Sequence, residues 1–246
     1  MIDVSVLTIC TREKRLDHPR KLVKRDFAEL TRRLWREQEL GHLATPAARL
    51  YTGLPQRRLL AGVGKARRSG AARVKLWILS AGYGLVHESM PLVPYDCSFN
   101  AMNASQLAEW SRHLCLPDTF PMFLSTPADL RLVLLTDPYL RACPLGDGLS
   151  LAAPTVFVVS RAMAPRLPRG ARAWILERAD VSRFRTPAVA LRQQVGALAL
   201  ELIAAEGRAG LDLLLSSGDA WRETLRADQS AGGGGGVSTS AAASTS

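Results

Sequence analysis

The sequence predicts an α/β fold: a mainly parallel sheet of about five strands with helices on both faces. Two observations predict it. Short runs of β-branched and other apolar residues recur along the chain, and between them lie longer segments whose apolar residues repeat with the helical period. Strands alternating with helices pair side by side, because each helix carries the chain back across a face of the sheet.

Ile2–Ile9 opens the chain as a buried strand, five of its eight residues being β-branched. Arg25–Leu40 follows as a helix with Phe27, Leu30 and Leu34 at helical spacing. Thr45 is expected to cap the next helix and Pro46 to begin it, since proline's fixed φ and missing N–H suit a first helical position. Val74–Leu79 is the second strand. Ser105–Leu114 reads as a helix opened by Ser105, Leu130–Leu135 and Thr155–Val159 as further strands, and Ala173–Leu176 as the fifth. Pro187–Ala205 forms a long helix after it. These elements make one α/β domain over 1–206, followed by an amphipathic helix over 207–228 with Leu211, Leu214, Leu215 and Trp221 on its apolar face. Beyond it, 229–246 carries an unbroken glycine run, Gly232–Gly236, and then mostly Ser, Thr and Ala. Such a composition buries too little apolar surface to offset the cost of ordering the backbone, so a disordered tail is expected.

The formal net charge of +10 is unevenly spread. Ten basic and four acidic residues lie between Arg12 and Arg36, and seven basic with no acidic residues between Arg57 and Lys75, which leaves the rest slightly acidic. Charge confined to two segments suits a phosphate-bearing partner, and nucleic acid is expected, DNA before RNA. Solvated helix faces and a GC-rich genome give the same pattern. Cys10, Cys97, Cys115 and Cys143 lie far apart without the paired spacing of a zinc site, and His18, His42, His87 and His113 are scattered. Neither a metal nor another cofactor is expected. The opening residues are too short and wrongly flanked for a secretory signal, and no apolar run approaches the roughly 18 residues that cross a bilayer. A soluble, cytoplasmic protein without a membrane partner follows as an expectation.

In open parallel sheets, ligands sit outside the carboxyl ends of the strands. Polar residues appear at four such ends: Cys10-Thr11, Ser80, Thr136-Asp137 and Ser160-Arg161. The richest is the stretch from Trp77 to Leu85, where an apolar strand runs into Ser80-Ala81-Gly82-Tyr83-Gly84, followed by Pro94-Tyr95-Asp96. Gly82 and Gly84 permit close approach of a ligand, Ser80 and Tyr83 offer hydroxyls, and Pro94 fixes an extended segment that aims Tyr95 and Asp96. The alternative is a tight turn with Tyr83 and Tyr95 packed as covers.

This arrangement, Ile-Leu-Ser, two residues, Tyr-Gly-Leu, then Pro-Tyr, resembles the signature of the YaaA-like peroxide-stress proteins. It is closer to an uncharacterised bacterial and phage branch of them. Cys10, Thr11 and Lys14 after the first strand, and Ala47 to Gly53 with Tyr51, match further segments of that branch. The likeness covers roughly 4–100 and implies a compact α/β fold, association with DNA, and a part in oxidative or genome protection, without implying a catalytic mechanism. Asp96-Cys97 departs from the peroxide-stress branch, where a basic residue follows the Pro-Tyr.

A second segment, Gly62-Val63-Gly64-Lys65 with Arg67 and Arg68, resembles the turn of a helix-hairpin-helix element, whose backbone N–H groups grip phosphate without reading bases. A flexible loop before Val74 fits it as well. The expected function is that of a nucleic-acid-associated protein with a nucleobase- or nucleotide-sized pocket, acting in DNA protection, modification or defence. Cys10, Thr11, Lys14, Tyr51, Gly82, Gly84 and Tyr95 are its expected ligand-binding residues. The alternatives are a hydrolase or transferase acting on an N-glycosidic bond or a base, with Asp96, Ser80 and Tyr83 as catalytic residues and His87 as a partner for Asp96, and a non-catalytic module that docks an acidic partner. Cys10, near Arg12 and Lys14, is a candidate nucleophile or a buried structural thiol.

Overall fold

The computed structural model describes residues 1–225. The expected tail over 229–246 and the end of the expected 207–228 helix lie outside them, and within them that helix is broken, Arg208–Ser216 being followed by the short turn Gly218–Ala220.

Six strands form the central sheet: β1 (Ile2–Ile9), β2 (Ala72–Ser80), β3 (Gly84–His87), β4 (Leu130–Val133), β5 (Thr155–Ser160) and β6 (Arg172–Leu176). Their order across the sheet is β6-β5-β4-β1-β2-β3. All neighbours are parallel except β3, which folds back antiparallel on β2 with Ser80 opposite Gly84 and Trp77 opposite His87. The five expected strands are all present. The sixth is the return arm of the glycine turn.

Alternation along the strands fills both faces. Ile2, Val4 and Val6 of β1 join Val74, Leu76, Leu130, Leu132, Val156 and Val158 on one face. That face is covered by α2 (Leu54–Arg68), α6 (Leu191–Glu206) and α7 (Arg208–Ser216). Leu7, Ile9, Val133, Phe157 and Val159 point to the other, under α3 (Ala104–His113), α4 (Leu116–Leu124) and α5 (Asp137–Ala142). Trp221 stacks on Trp174 of β6 with ring centroids 5.3 Å apart, so the C-terminal helical segment seals the first face.

Several helices differ from their expected form. Arg25–Leu40 is not continuous. Lys24–Phe27 makes one turn, Glu29 is extended, and α1 spans Leu30–Glu39. The Asp26 carboxylate accepts from Val23 N–H and Arg32, which closes the first turn on itself. Phe27 is buried, whereas Leu30, Leu34 and Trp35 are 66%, 56% and 62% exposed. Thr45 and Pro46 pair antiparallel with Leu92 and Pro91, and the helix expected from them is a single turn, Ala47–Leu50, with Pro46 rather than Thr45 at its cap position and no side-chain cap bond. At α3 the cap is Asn103, one residue before the first helical position: its side chain accepts from Gln106 N–H at 2.9 Å while Gln106 reaches back at 3.1 Å. The α4 helix was hidden in the sequence by Pro117 and Pro121.

The Ala188–Glu206 helix corrects the expectation about apolar runs, for its 19 residues are long and apolar enough to cross a bilayer. Here most of it is buried against α2 and the sheet.

Candidate functional site

Counting outward from β1, the strand order reverses between β1 and β4, since α2 leads to one side and the later strands extend to the other. A cleft of about 600 Å³ opens outside the carboxyl ends of these two strands, where doubly wound sheets hold ligands. Three helices begin there: α2 after Gly53, α5 after Thr136, and α6 through the short turn Ala188–Ala190.

Each wall has a local cause. Thr11, leaving β1, accepts from Gly53 N–H at 3.3 Å and donates to Glu13 O at 2.9 Å, which ties the strand exit to the start of α2. A β-carbon on Gly53 would lie 2.9 Å from that of Thr11, so only glycine fits. Cys10 Sγ lies 2.9 Å from the Tyr139 hydroxyl of α5. Lys14 pairs with Tyr51 through an isolated antiparallel bridge, and its ammonium sits 4.4 Å from the Tyr95 ring centroid. Burial lowers the Lys14 pKa below the ordinary lysine value. Asp96 is exposed in the cleft, held extended by parallel pairing with Val23. Arg192 of α6 closes the far side: it donates to Asp137 at 2.9 Å and to Val158 O at 3.2 Å, and Ser160 donates to the same carboxylate at 2.7 Å.

Of the expected site residues, Cys10, Thr11, Lys14 and Asp96 meet in this cleft. Tyr95 backs an adjoining hollow of about 630 Å³ that shares Arg12, Glu13, Lys14 and Asp96 with it. Ser80, Tyr83, Gly82, Gly84 and Tyr51 line neither.

Packing explains their absence. Ser80 is fully buried, and its hydroxyl oxygen accepts from Gly82 and Tyr83 N–H at 3.2 and 3.0 Å while lying 2.7 Å from the Tyr95 hydroxyl. Tyr95 in turn lies 2.8 Å from the Tyr51 hydroxyl. Burial raises the pKa of both tyrosines well above the ordinary phenol, so at neutral pH the network is uncharged. Gly82 gives its space to Phe27, whose ring would be 2.7 Å from an added β-carbon. Gly84 has φ +73° and abuts Leu114 O at 2.9 Å from the β-carbon position, so both glycines serve packing rather than a ligand. Tyr83 packs edge-on against Phe27 and Tyr95, and Arg33 covers its ring. His87 lies three positions back along the strand pair, with Nδ1 2.7 Å from Ser89 Oγ and its ring 5.3 Å from that of Trp77, outside the cleft that holds Asp96.

The hairpin reading of Gly62 to Arg68 is overturned, because the whole segment lies inside α2. A β-carbon on Gly62 would come within 2.6 Å of the Ala197 α-carbon, which marks the crossing of α2 and α6. Helical N–H groups are already spent on the helix, so Gly62 and Gly64 offer no phosphate nest. Lys65 reaches Glu201 at 3.2 Å, and Arg67 bonds Glu88 at 3.1 Å and Val74 O at 3.2 Å. What remains are the exposed cations Arg57, Arg58 and Arg68 of α2, beside the paired Lys65.

No family model, curated protein or solved structure matches this chain. The likeness to the YaaA-like proteins therefore rests on the motif residues alone.

Sequence reasoning missed Tyr139, Asn100 and Arg192, which also line the cleft. Thr136-Asp137 and Ser160 were visible as strand-end polar residues. Their partner Arg192 was not, since it reads as one cation within a helical pattern.

Proposed function

We propose that the cleft between the ends of β1 and β4 binds a nucleobase- or nucleotide-sized ligand, and that the protein acts on or beside nucleic acid, in protection, modification or defence of DNA. The observation that carries this reading is the meeting of Lys14, Asp96 and the Cys10–Tyr139 pair in one cleft at the reversal of strand order. Its volume of about 600 Å³ lies within the range of small-molecule sites. Support for a polyanion nearby comes from the exposed cations of α2, a helix that begins at the cleft.

A second reading is favoured by Asp96 itself. An exposed carboxylate beside a half-buried lysine is equipped to activate water, or to stabilise positive charge developing on a sugar, in cleavage or exchange of an N-glycosidic bond. Calorimetric titration with nucleobases, nucleosides and nucleotides, followed by crystal soaking, tests both. Density against Lys14 and Asp96 is the expected result. Absence of binding by every one of these compounds would remove the proposal and leave an accessory module with the exposed cations of α2.

A further inference from the structure

The cleft and its neighbouring hollow are one site with two chemically different compartments. They share a ridge of Arg12, Glu13, Lys14 and Asp96. On one side the exposed lining is more apolar than polar, with Ile9, Cys10, Pro55, Tyr139 and Val189, and with Asn100, Thr136 and Arg192 among its polar members. On the other it is mainly polar: Asp17, Lys21 and Thr52 join the shared residues in lining it. Resting on the reading above, we infer that the ligand spans both compartments across the Lys14–Asp96 ridge, its flat heterocycle in the apolar one and a sugar-phosphate in the polar one.

The signs of the charges support this choice of ligand over a bare anion. Arg12, Lys14 and Lys21 supply N–H donors to the polar compartment, and Glu13, Asp17 and Asp96 supply acceptors. An isolated phosphate meets three carboxylates there and gains little. A sugar-phosphate brings hydroxyl donors for the carboxylates and anionic oxygens for the cations, so both sets find partners. Lys21 and Asp17 already pair at 2.6 Å on the surface, an interaction weak enough to be exchanged for a ligand contact. On the apolar side, Tyr139 is 5% exposed, lies 2.9 Å from Cys10 Sγ through its hydroxyl and packs edge-on to Phe99 with centroids 4.8 Å apart, which fixes the floor of that compartment.

The test is a comparison of affinities by calorimetry for the four nucleobases, their nucleosides, the nucleoside 5′-monophosphates and inorganic phosphate. Monophosphates are expected to bind at least about tenfold tighter than the corresponding bases, and inorganic phosphate to compete only weakly. Lys21→Ala is expected to weaken the monophosphate by about tenfold and the free base far less, whereas Val189→Asp, at an exposed position, weakens both. Thermal unfolding checks that both variants fold. If base and monophosphate bind equally, or if inorganic phosphate matches the monophosphate, the two-compartment inference fails while the nucleotide-sized cleft survives. If none of these compounds binds, both fail together.

Discussion

The Tyr95 hydroxyl lies 2.7 Å from Ser80 Oγ, so the turn at the end of β2 and the loop that carries Asp96 are joined at one buried point. Next to that point the chain changes character within a single peptide bond. Tyr95 is 1% exposed and Asp96 stands in the cleft. The serine motif braces the wall of the cleft and lines neither hollow.

Ser80→Ala tests this division of labour. The substitution leaves the N–H groups of Gly82 and Tyr83 and the Tyr95 hydroxyl without a shared partner in a buried setting, and a loss of about 1–3 kcal/mol of stability is expected in denaturant titration. Ligand affinity should fall less than it does for a cleft substitution.

Asp96→Asn is the reverse case. The carboxylate is exposed and pairs with no cation among the described residues, so stability should stay within about 0.5 kcal/mol of the parent. Nucleotide affinity, or turnover under the glycosidic-bond reading, should drop by at least about tenfold. Unchanged values in both measurements would take Asp96 out of the site.

The two glycines of α2 should respond in opposite directions. Gly62→Ala drives a methyl group into Ala197, 2.6 Å from its α-carbon, and is expected to cost about 1–3 kcal/mol. Gly64→Ala meets only the movable end of Arg68 and should stabilise the helix by roughly 0.5–1 kcal/mol. A hairpin turn at this place would instead be harmed at both positions.

Lys14 gives a pH dependence. Burial lowers its pKa beneath the ordinary 10.5, so in the window just below that value the unfolded chain binds the proton and the folded chain has begun to release it. Stability contributed by this group therefore rises as pH rises through the window. Lys14→Met removes it. The variant should gain most over the parent at neutral pH, and its advantage should shrink as pH approaches the ordinary lysine value, measured by urea unfolding at stepped pH.

The five main strands were legible because each is a short, apolar-rich run bounded by polar or small residues; four of them are largely buried, and in the edge strand β6 only Trp174 is. β3 was hidden since four residues after a turn carry no period of their own. In the candidate site, Cys10 and Thr11 could be read because position at a strand end follows from the strand itself, Asp96 because Pro94 fixes the extended segment that carries it, and Lys14 through the motif resemblance. Ser80 and the glycines after it could not be sorted, for a glycine that admits a ligand and one that admits Phe27 look alike in sequence. The same ambiguity misled at Gly62 and Gly64, whose spacing suits a phosphate turn and a helix crossing equally. Tyr139 and Arg192 belong to elements far along the chain, and only the closed sheet brings them to Cys10.

The contact of Gly62 with Ala197 has a bearing on how the molecule can breathe. With no side chain as a cushion, α2 and α6 meet backbone to backbone, and sliding one along the other would force main-chain atoms together. Both helices start at the rim, so that half of the mouth is a fixed jaw. The run from Arg12 is fastened to the same jaw, Arg15 N–H donating to Leu50 O at 2.8 Å and Thr52 N–H to Glu13 O at 3.1 Å, which leaves the stretch from Leu16 to Lys21 as the less tied part of the rim.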